Sequence, residues 1–446
     1  MSEPGAPTSS ARSALPRQGG PLAPVDSPPL DADGTVVVVG ASLAGLRAAE
    51  EVRRRGHRGP VVVVGEERHD PYDRPPLSKQ VLAGTWDVER IRHHAPEALG
   101  ELGIELLLGR RAVALDLDGR AVELDGGHRY PFDGLVVATG ASPRRLPDTE
   151  GLAAVHVLRT LDDCVAIRRD LLAAGTGGHL VVVGSGFIGS EVASTAHALG
   201  ARVTVVEALA TPLAGALGVE MGRACAGLHT DAGVDLRTGV GVDRIAPAER
   251  SGAGPPGRSA ASSPVGVHLA DGSVLEADVV VVGIGVTPAT EWLDGSGLEL
   301  ADGVRVTSRL FAAPGVVAAG DVARWPLPSA GGEVRIEHWT NAAEGGVAAG
   351  RNLVAGSAAA EPYEPVPFFW SDQYGTKIQL VGHPDPTDEA VVVDGAIDDR
   401  RFVALYRRGD RVSAALALSR PRQLMQFRPL VAAGASFDEA LALARH

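Results

Sequence analysis

The sequence predicts an α/β protein built from two Rossmann-like domains and a smaller C-terminal α+β domain. Residues 35–66 and 180–207 carry the same order of features: an apolar strand, a glycine-rich turn, a helical pattern, a second strand and a glutamate. A βαβ unit with a glycine-rich first turn is typical of dinucleotide binding. After about residue 362 the pattern changes to short alternating strands, which indicates a separate α+β domain.

The first unit begins with Val36–Val39, a run that is too short for a helix and β-branched throughout, as in a buried parallel strand. The helix after the turn would present free N–H groups and partial positive charge to a pyrophosphate. Glu66 lies about 20 residues beyond Gly45, the spacing expected for a carboxylate on a ribose hydroxyl. Ser42 stands where the middle glycine of G-x-G-x-x-G is expected.

The second unit has the complete fingerprint, with Gly184, Gly186 and Gly189 in place after an apolar strand. Glu207 follows the next strand at nearly the same spacing as Glu66 in the first unit. One imperfect fingerprint is a weak signal, but the second copy predicts two dinucleotide sites in one chain.

Composition restricts the class of protein. The 446 residues are 45% hydrophobic and 22% charged, which is ordinary for a globular enzyme, and no apolar run reaches the ~18 residues that would span a bilayer. The net charge of −13 argues against nucleic acid as a partner. The chain has two cysteines, Cys164 and Cys225, which are far apart. Neither a disulfide framework nor a metal site is therefore expected, and the expected location is the cytoplasm. Since no apolar run is long enough to span a bilayer, no membrane partner is expected.

The expected domain boundaries follow composition and pattern. Residues 1–33, rich in Pro, Gly, Ser and Ala, are predicted to be a disordered extension. The first dinucleotide domain is expected in two parts, 34–145 and 277–360, around a second dinucleotide domain at 146–276, and the C-terminal domain spans 361–446. Residues 80–102 are predicted to be mostly helical, and residues 248–264 a mobile loop between two strands.

Several longer strings are more specific than the glycine fingerprints. They are Gly40–Gly45, Arg74–Lys79 (RPPLSK), Ala138–Gly140, Leu158–Thr160, Gly184–Glu191, Gly283–Val286, Gly320-Asp321 and Pro367–Tyr374 (PFFWSDQY). With these strings the chain resembles the putidaredoxin-reductase-like family of flavin-dependent NADH:ferredoxin reductases. The resemblance covers nearly all of the chain and implies a glutathione-reductase-like fold with FAD at the first site and NAD(H) at the second.

The resemblance also implies which residues bind the cofactors. Those expected at FAD are Gly40, Ser42, Ala44, Gly45, Glu66, Lys79, Ala112, Ala138, Thr139, Gly140, Arg159, Gly320, Asp321, Trp339 and Trp370. Those expected at NAD(H) are Gly184, Gly186, Ile188, Gly189, Glu191, Glu207 and Gly285. Glu207 would repel a 2′-phosphate, and no arginine occurs between Val206 and Gly222 to receive one, so NADH is expected rather than NADPH.

Three of these residues are expected to act in catalysis. Lys79 would place positive charge beside the flavin, Glu191 would pair with Lys79 in the nicotinamide pocket, and Trp339 would lie near the isoalloxazine. On composition alone other interpretations are open: Lys79 as a surface charge, Glu191 as a first-turn glutamate facing the helix dipole, Asp321 as a turn residue and Trp339 as a core aromatic.

The family implies that electrons pass from NADH through FAD to an iron–sulfur ferredoxin of the 2Fe–2S or 3Fe–4S type, which serves a cytochrome P450 or a ring-hydroxylating dioxygenase. A disulfide reductase, or a cysteine-based peroxidase or oxidase, would need a cysteine near the first βαβ unit, and none occurs before Cys164. A signalling protein similar to apoptosis-inducing factor is the alternative from another functional class.

Overall fold

The computed structural model describes residues 22–95, 97–248 and 264–445. Most of the expected disordered extension, residues 1–21, and nearly all of the expected mobile loop, residues 249–263, lie outside the described residues.

Strands form most of the framework of the described chain. In chain order they are β1 (Val36–Val39), β2 (Val61–Gly65), β3 (Ile104–Leu108), β4 (Ala112–Asp116), β5 (Ala121–Leu124), β6 (Arg129–Pro131), β7 (Gly134–Val137), β8 (Ala141–Pro143), β9 (Val155–His156), β10 (His179–Val183), β11 (Arg202–Glu207), β12 (Asp235–Thr238), β13 (Val242–Pro247), β14 (Val265–Leu269), β15 (Val274–Ala277), β16 (Val279–Val282), β17 (Val286–Pro288), β18 (Val304–Arg305), β19 (Phe311–Ala313), β20 (Val316–Ala318), β21 (Ala323–Leu327), β22 (Gly332–Val334), β23 (Phe368–Gln373), β24 (Thr376–Gly382), β25 (Glu389–Ala396), β26 (Arg401–Arg408) and β27 (Arg411–Leu418).

The α-helices lie mainly between the parallel strands and at the C-terminus. They are α1 (Leu43–Arg54), α2 (Gln80–Ala83), α3 (Ala98–Glu101), α4 (Leu161–Ala174), α5 (Phe187–Ala198), α6 (Ala214–Asp231), α7 (Trp339–Ala355), α8 (Pro421–Ala433) and α9 (Phe437–Ala444). Short 3₁₀ helices occur at Pro75–Ser78, Glu89–Ile91, Glu291–Leu293, Gly320–Val322 and Pro328–Ala330. No helix of the described chain is both long and apolar enough to cross a bilayer.

The first sheet has the strand order β19-β20-β7-β1-β2-β3 and is parallel except for the β19–β20 pair. Its strands β7, β1 and β2 are buried along their whole length and rich in valine, as expected for a parallel sheet covered on both faces. Helix α7 packs closely on α1 because Gly346 and Gly350 face it: an added Cβ would lie 2.3 Å from the Ala44 carbonyl oxygen and 2.5 Å from that of Ala48.

The second sheet is parallel throughout, in the order β12-β11-β10-β16-β9. Strand β16 pairs along its whole length with β10 and therefore belongs to this sheet. The expected boundary at 276/277 is wrong for that reason: the chain returns towards the first domain after β16, where β17 pairs with β8. The chain passes from the second domain back to the first at Gly283–Gly285, and not at the Asp-Gly hairpin before it.

The C-terminal sheet is antiparallel, in the order β23-β24-β27-β26-β25. The alternation of its strands directs Phe402 and Tyr406 to one face and Val403 and Leu405 to the other. Helix α6 of the second domain covers the first face, while α8 and α9 cover the second. The C-terminal domain therefore packs directly on the second domain.

Two further expectations need correction. Residues 22–33 are part of the fold and not of a disordered extension: Ser27 is buried, its hydroxyl accepts from the Gly315 amide at 2.9 Å, and the Leu30 amide donates to the Val354 carbonyl. Among the described residues of 80–102, the helical content is limited to three short pieces, α2, α3 and one 3₁₀ helix, which are separated by turns and irregular chain. A helix there ends at Gly84, which has φ +74° and closes α2 as a left-handed cap.

Candidate functional site

Two adjoining cavities form one long cleft at the carboxyl ends of β1, β2 and β7. The larger has a volume of about 1090 Å³ and lies over the glycine turn, and the smaller, about 260 Å³, ends between α5 and the C-terminal sheet. The residues common to both walls are Ser42, Tyr72, Arg74, Ala138, Gly140 and Arg159. A cleft at this edge of a parallel sheet is where open α/β folds bind their ligands.

The first glycine turn is shaped by backbone contacts that exclude side chains. Gly40 has φ +119°, and a Cβ on it would lie 2.1 Å from the Ala138 carbonyl oxygen. A Cβ on Gly45 would lie 1.9 Å from the Gly40 carbonyl oxygen. Ser42 is the N-cap of α1 but makes no cap bond; its hydroxyl accepts from Arg74 Nε at 3.3 Å. The turn thus offers free helix N–H groups with a guanidinium beside them, which suits a pyrophosphate.

Arg74 belongs to a polar network that sequence reasoning did not assign. Its guanidinium donates to Glu67 Oε1 at 2.6 Å and to the Arg159 carbonyl oxygen at 2.6 Å. The Tyr72 hydroxyl donates to Glu67 and accepts from the Leu161 amide, and burial raises the pKa of Tyr72. The signal was present, because Arg74 begins the RPPLSK string, but an arginine before two prolines does not reveal its partners.

The middle of the cleft holds the Gly320-Asp321 pair. Arg159 Nη2 donates to Asp321 Oδ2 at 3.1 Å, which joins the second domain to the loop after β20. Gly320 has φ +76°, and a Cβ there would come within 2.9 Å of the Ala44 side chain, so the loop lies directly against the start of α1. Asp321 is therefore held by an arginine in the cleft and is more than a turn residue.

Lys79 and Glu191 meet in the lining of the smaller cavity. Lys79 Nζ lies 2.6 Å from Glu191 Oε2, with the two side chains 13% and 6% exposed. Oε2 also accepts from the Ser78 hydroxyl, while Oε1 accepts from Ser371 Oγ at 2.8 Å and from the Asp372 amide at 3.2 Å. Lys79 is thus a largely buried cation and not a surface charge, and Glu191 bonds to the first and C-terminal domains at once.

Aromatic side chains also line the smaller cavity. Trp339 begins α7, and its ring lies edge-on to that of Trp370 with centroids 6.0 Å apart. Trp339 Nε1 donates to Asp73 Oδ1 at 2.6 Å, which fixes the indole against the residue just before the RPPLSK string. Trp339 therefore lines the cleft and is not an ordinary core aromatic; no sequence signal identified Asp73 as its partner.

The second glycine turn repeats the packing of the first. A Cβ on Gly184 would lie 2.3 Å from the Gly283 carbonyl oxygen, and one on Gly189 would lie 2.3 Å from that of Gly184. Gly186, the N-cap of α5, is different, because its nearest contact would be 4.0 Å away. The open space above Gly186 is a cradle for a ligand approaching the helix N-terminus.

Glu207 ends β11 and turns back towards this second loop. Its carboxylate accepts from the Ser185 amide at 2.8 Å and from the Leu209 amide at 2.9 Å. Beneath the loop, the fully buried His229 contacts the hydroxyls of Ser185, Ser190 and Tyr374, and burial lowers its pKa to about 4.

The cleft brings together most of the residues that the sequence predicted. Lining it are Gly40, Ser42, Ala44, Glu66, Lys79, Ala112, Ala138, Thr139, Gly140, Arg159, Ile188, Glu191, Gly320, Asp321, Trp339 and Trp370. Gly45 lies behind the first turn, and Gly184, Gly186, Gly189, Glu207 and Gly285 are not in the walls of these two cavities. The additional lining residues include Glu67, Tyr72, Asp73, Arg74, Ser78, His93, Phe187, His338 and Phe369.

Neither cysteine takes part in this site. Cys164 is buried and donates to the Leu77 carbonyl oxygen at 3.1 Å, and Cys225 is buried beneath the C-terminal sheet. Burial raises the pKa of both thiols to about 12. A nucleophilic thiolate is therefore not available in the cleft.

Two dinucleotide-binding units with a buried lysine–glutamate pair between them define a class of pyridine-nucleotide-dependent flavoenzymes, and the chain belongs to the pyridine nucleotide-disulphide oxidoreductase family, whose model matches residues 34–346. A second model, reductase C-terminal, matches residues 368–445. Membership confirms the expected fold class and the two cofactors, FAD and NAD(H).

Individual relatives narrow the comparison. The chain is 35% identical to rhodocoxin reductase of Rhodococcus erythropolis, over 92% of this chain and 95% of that one. It is 37% identical to the biphenyl dioxygenase system ferredoxin–NAD(+) reductase component of Paraburkholderia xenovorans, over 87% and 91%. Its structure matches that of putidaredoxin reductase in a covalent complex with putidaredoxin, with a TM-score of 0.84, 32% identity and coverage of 92% and 96%.

Proposed function

We propose that this protein is an NADH:ferredoxin reductase that passes electrons from NADH through FAD to an iron–sulfur ferredoxin. The observation that carries the proposal is the buried Lys79–Glu191 pair, which lies where the FAD cleft meets the helix of the second glycine turn. When bound, FAD supplies the conversion of a two-electron hydride donor into a one-electron donor.

The residues present fit the cofactor. The turn at Gly40, Ser42 and Gly45, together with Arg74, would hold the pyrophosphate, while Glu66 at the end of β2 would bind the adenosine ribose. Asp321, oriented by Arg159, would bind the ribityl chain. In this proposal residues 34–145 and 283–360 form the FAD domain, residues 146–282 the NAD domain, and residues 361–446 the C-terminal domain.

At the reacting end, Lys79 would hold positive charge where negative charge develops, in a site whose burial excludes water and strengthens the interaction. Glu191 orients the ammonium through its bond to Nζ and would face the nicotinamide. Trp339 and Trp370 line the same cavity, with their rings edge-on to each other.

NADH is the proposed donor. The Glu207 carboxylate, held by two backbone amides, would accept from the ribose 2′-hydroxyl and repel a 2′-phosphate. Steady-state reduction of ferricyanide should give a higher specificity constant with NADH than with NADPH, and Glu207→Gln should narrow the gap. Equal constants for the unmodified protein would contradict this assignment.

The acceptor is proposed to be external because both thiols are buried and protonated at neutral pH. The names of the relatives, as reductase components of oxygenase systems and as a partner of putidaredoxin, support a small iron–sulfur ferredoxin of the 2Fe–2S or 3Fe–4S type. That ferredoxin would serve a cytochrome P450 or a dioxygenase. A cytoplasmic location is part of the proposal, and cell fractionation would test it.

The decisive experiment is NADH-dependent reduction of a panel of purified ferredoxins by the purified yellow protein. We expect rapid reduction of at least one ferredoxin, measured as bleaching of the iron–sulfur absorbance. A protein that NADH reduces but that reduces no ferredoxin, and whose binding to another protein changes with redox state, would favour the signalling alternative. A folded protein that cannot be loaded with FAD would overturn the proposal altogether.

A further inference from the structure

We infer that Ser371, in the C-terminal domain, is a positioning residue for hydride transfer: its hydroxyl holds the Glu191 carboxylate in the orientation in which it pairs with the Lys79 ammonium. This inference rests on the proposed function, because it concerns how the lysine–glutamate pair is kept in place. It assigns the C-terminal domain a part in the reductive half-reaction, although that domain contributes neither glycine turn.

The Glu191 carboxylate is divided between two parts of the protein. Oε2 faces the RPPLSK loop and bonds to Ser78 and Lys79, whereas Oε1 faces β23 and bonds to Ser371 and to the Asp372 amide. A carboxylate that is 5% exposed cannot replace a lost donor with water at no cost. The two donors of β23 therefore decide how the carboxylate is turned, and through it where the ammonium of Lys79 lies.

The direction of the Ser371 hydrogen bond is fixed by its other neighbour. Gln373 Nε2 donates to Ser371 Oγ at 3.1 Å, so the single hydroxyl proton of Ser371 is left for Glu191. Ser371 is 0% and Gln373 1% exposed, which places the whole relay out of contact with solvent. A chain of hydrogen bonds from Gln373 through Ser371 and Glu191 to Lys79 results.

The same strand end also contacts α5 one turn later, where the Tyr374 amide donates to Ser194 Oγ at 2.8 Å. Ser194 thus anchors the C-terminal domain to the same helix and is not one of the hydrogen-bond donors to the Glu191 carboxylate. The variant Ser194→Ala is a matched control, since it removes a serine hydroxyl and a domain contact but leaves the carboxylate with all its donors.

The chain also provides an internal chemical control. It contains two lysines, Lys79 and Lys377. Lys377 is 45% exposed and pairs with Asp372, so it reports on general changes in the C-terminal domain. Acetylation by a small anhydride, followed by mass spectrometry, therefore measures the accessibility of Lys79 against Lys377 in one sample and does not depend on turnover.

The experiment compares FAD-loaded wild-type, Ser371→Ala, Ser371→Cys and Ser194→Ala proteins. For Ser371→Ala we expect the limiting rate of FAD reduction by NADH in stopped flow to fall about tenfold, the size expected for one lost hydrogen bond to a charged group, with little change in the apparent Kd of NADH. Lys79 should become about fivefold more reactive relative to Lys377, since the ion pair is loosened. Ser371→Cys, a weaker donor of similar size, should lie between wild type and Ser371→Ala.

A double-mutant cycle completes the test. In a Glu191→Ala background the Ser371→Ala change should have no further effect on the limiting rate, because Ser371 acts only through the carboxylate. Additive effects, or a Ser371→Ala protein that matches Ser194→Ala in both rate and acetylation, would overturn the inference. A wild-type protein that NADH does not reduce would overturn the proposed function instead, and the acetylation ratio would still test the contact.

Discussion

The Lys79 side chain is much more buried than its sequence context suggests. A lysine after a proline-rich turn is usually solvated, yet here its side chain is 13% exposed and its ammonium lies 2.6 Å from a carboxylate. Burial raises the strength of its field on any group in the cleft, because the effective dielectric constant falls from ~80 in water to roughly 20 or less.

Replacing Lys79 with glutamine should therefore slow the reduction of bound FAD by NADH by about 100-fold, since a preorganised positive charge is lost while the side chain still donates to Glu191. Stopped-flow spectroscopy at the flavin band measures the rate. The FAD content should stay near wild type. Lys377→Gln, which removes the other lysine, is the control, and an unchanged rate in Lys79→Gln would mean that the ammonium has no catalytic part.

The lowered pKa of His229 predicts how the stability of the protein depends on pH. Its pKa is about 4 in the folded protein, because burial disfavours the charged ring, against 6.5 for an ordinary histidine. Between these values the unfolded chain binds more protons than the folded one, so the free energy of unfolding falls as the pH falls from 6.5 to about 4. The loss from this one group approaches about 3 kcal/mol at pH 4 and is absent above neutral pH.

The variant His229→Gln should therefore show a shallower loss of stability below pH 6.5, measured by urea unfolding at a series of pH values. Replacing the exposed His128 in the same way provides the control for the loss of a histidine. If the acid slope of His229→Gln were as steep as that of wild type, the pKa of His229 would not differ between the folded and the unfolded protein, which would contradict the prediction.

The glycines of the second glycine turn have different structural roles. Gly189 fills a packing role, since a Cβ would lie 2.3 Å from a backbone oxygen of the same turn, whereas a Cβ on Gly186 would meet nothing of the protein closer than 4.0 Å. The fingerprint predicts three required glycines; only the packing around each glycine separates the one left open for a ligand from those that the fold itself needs.

Gly189→Ala should accordingly lower the melting temperature and the yield of folded protein, because backbone must move. Gly186→Ala should fold normally and bind NADH at least tenfold more weakly, since the methyl group occupies space at the N-terminus of α5. Differential scanning fluorimetry and NADH titration separate the two effects. Equal melting temperatures for both variants would contradict this division.

Local pattern predicted these βαβ units because each is contiguous and periodic. It failed at residues 80–102, where α2 is ended by Gly84 after four residues and contacts with other domains set the backbone. It also could not show that Ser42, in the place of the middle glycine, accepts from Arg74. Those two residues are 32 positions apart, and no periodicity links them.

Contacts between domains were beyond sequence reasoning for the same physical reason. The motif strings predict Lys79, Glu191 and Trp370 as members of one site, and all three line the smaller cavity. The partners Ser371 and Asp73 follow only from how the C-terminal sheet lies on α5 and how α7 meets the segment just before RPPLSK. The boundary at 276/277 failed similarly, since β16 is assigned to a sheet by its pairing with β10 and not by its composition.

The charge of the whole molecule bears on how an acidic ferredoxin could approach a protein of net charge −13. Many arginines of the C-terminal domain are already paired with carboxylates, among them Arg400 with Asp231 and Arg408 with Asp388. Arg401 and Arg422 are exposed and make no ion pair with the described residues. Arg422 lies on α8, the helix that approaches α7 through Arg428 and Glu344, whereas Arg401 lies beside Arg400 on the side of α6.

Because α7 begins with Trp339 in the cleft and α8 contacts α7 through Arg428 and Glu344, we expect Arg422 on α8 to steer the ferredoxin. Steering acts mainly on the association rate and is screened within about 8–10 Å at physiological salt. Ferredoxin reduction should therefore slow steeply as salt rises, while ferricyanide reduction changes much less. Arg422→Glu should reproduce the high-salt rate at low salt, and Arg401→Glu should not. If both reversals behave alike, or both acceptors respond equally to salt, the ferredoxin docks elsewhere or through apolar contact.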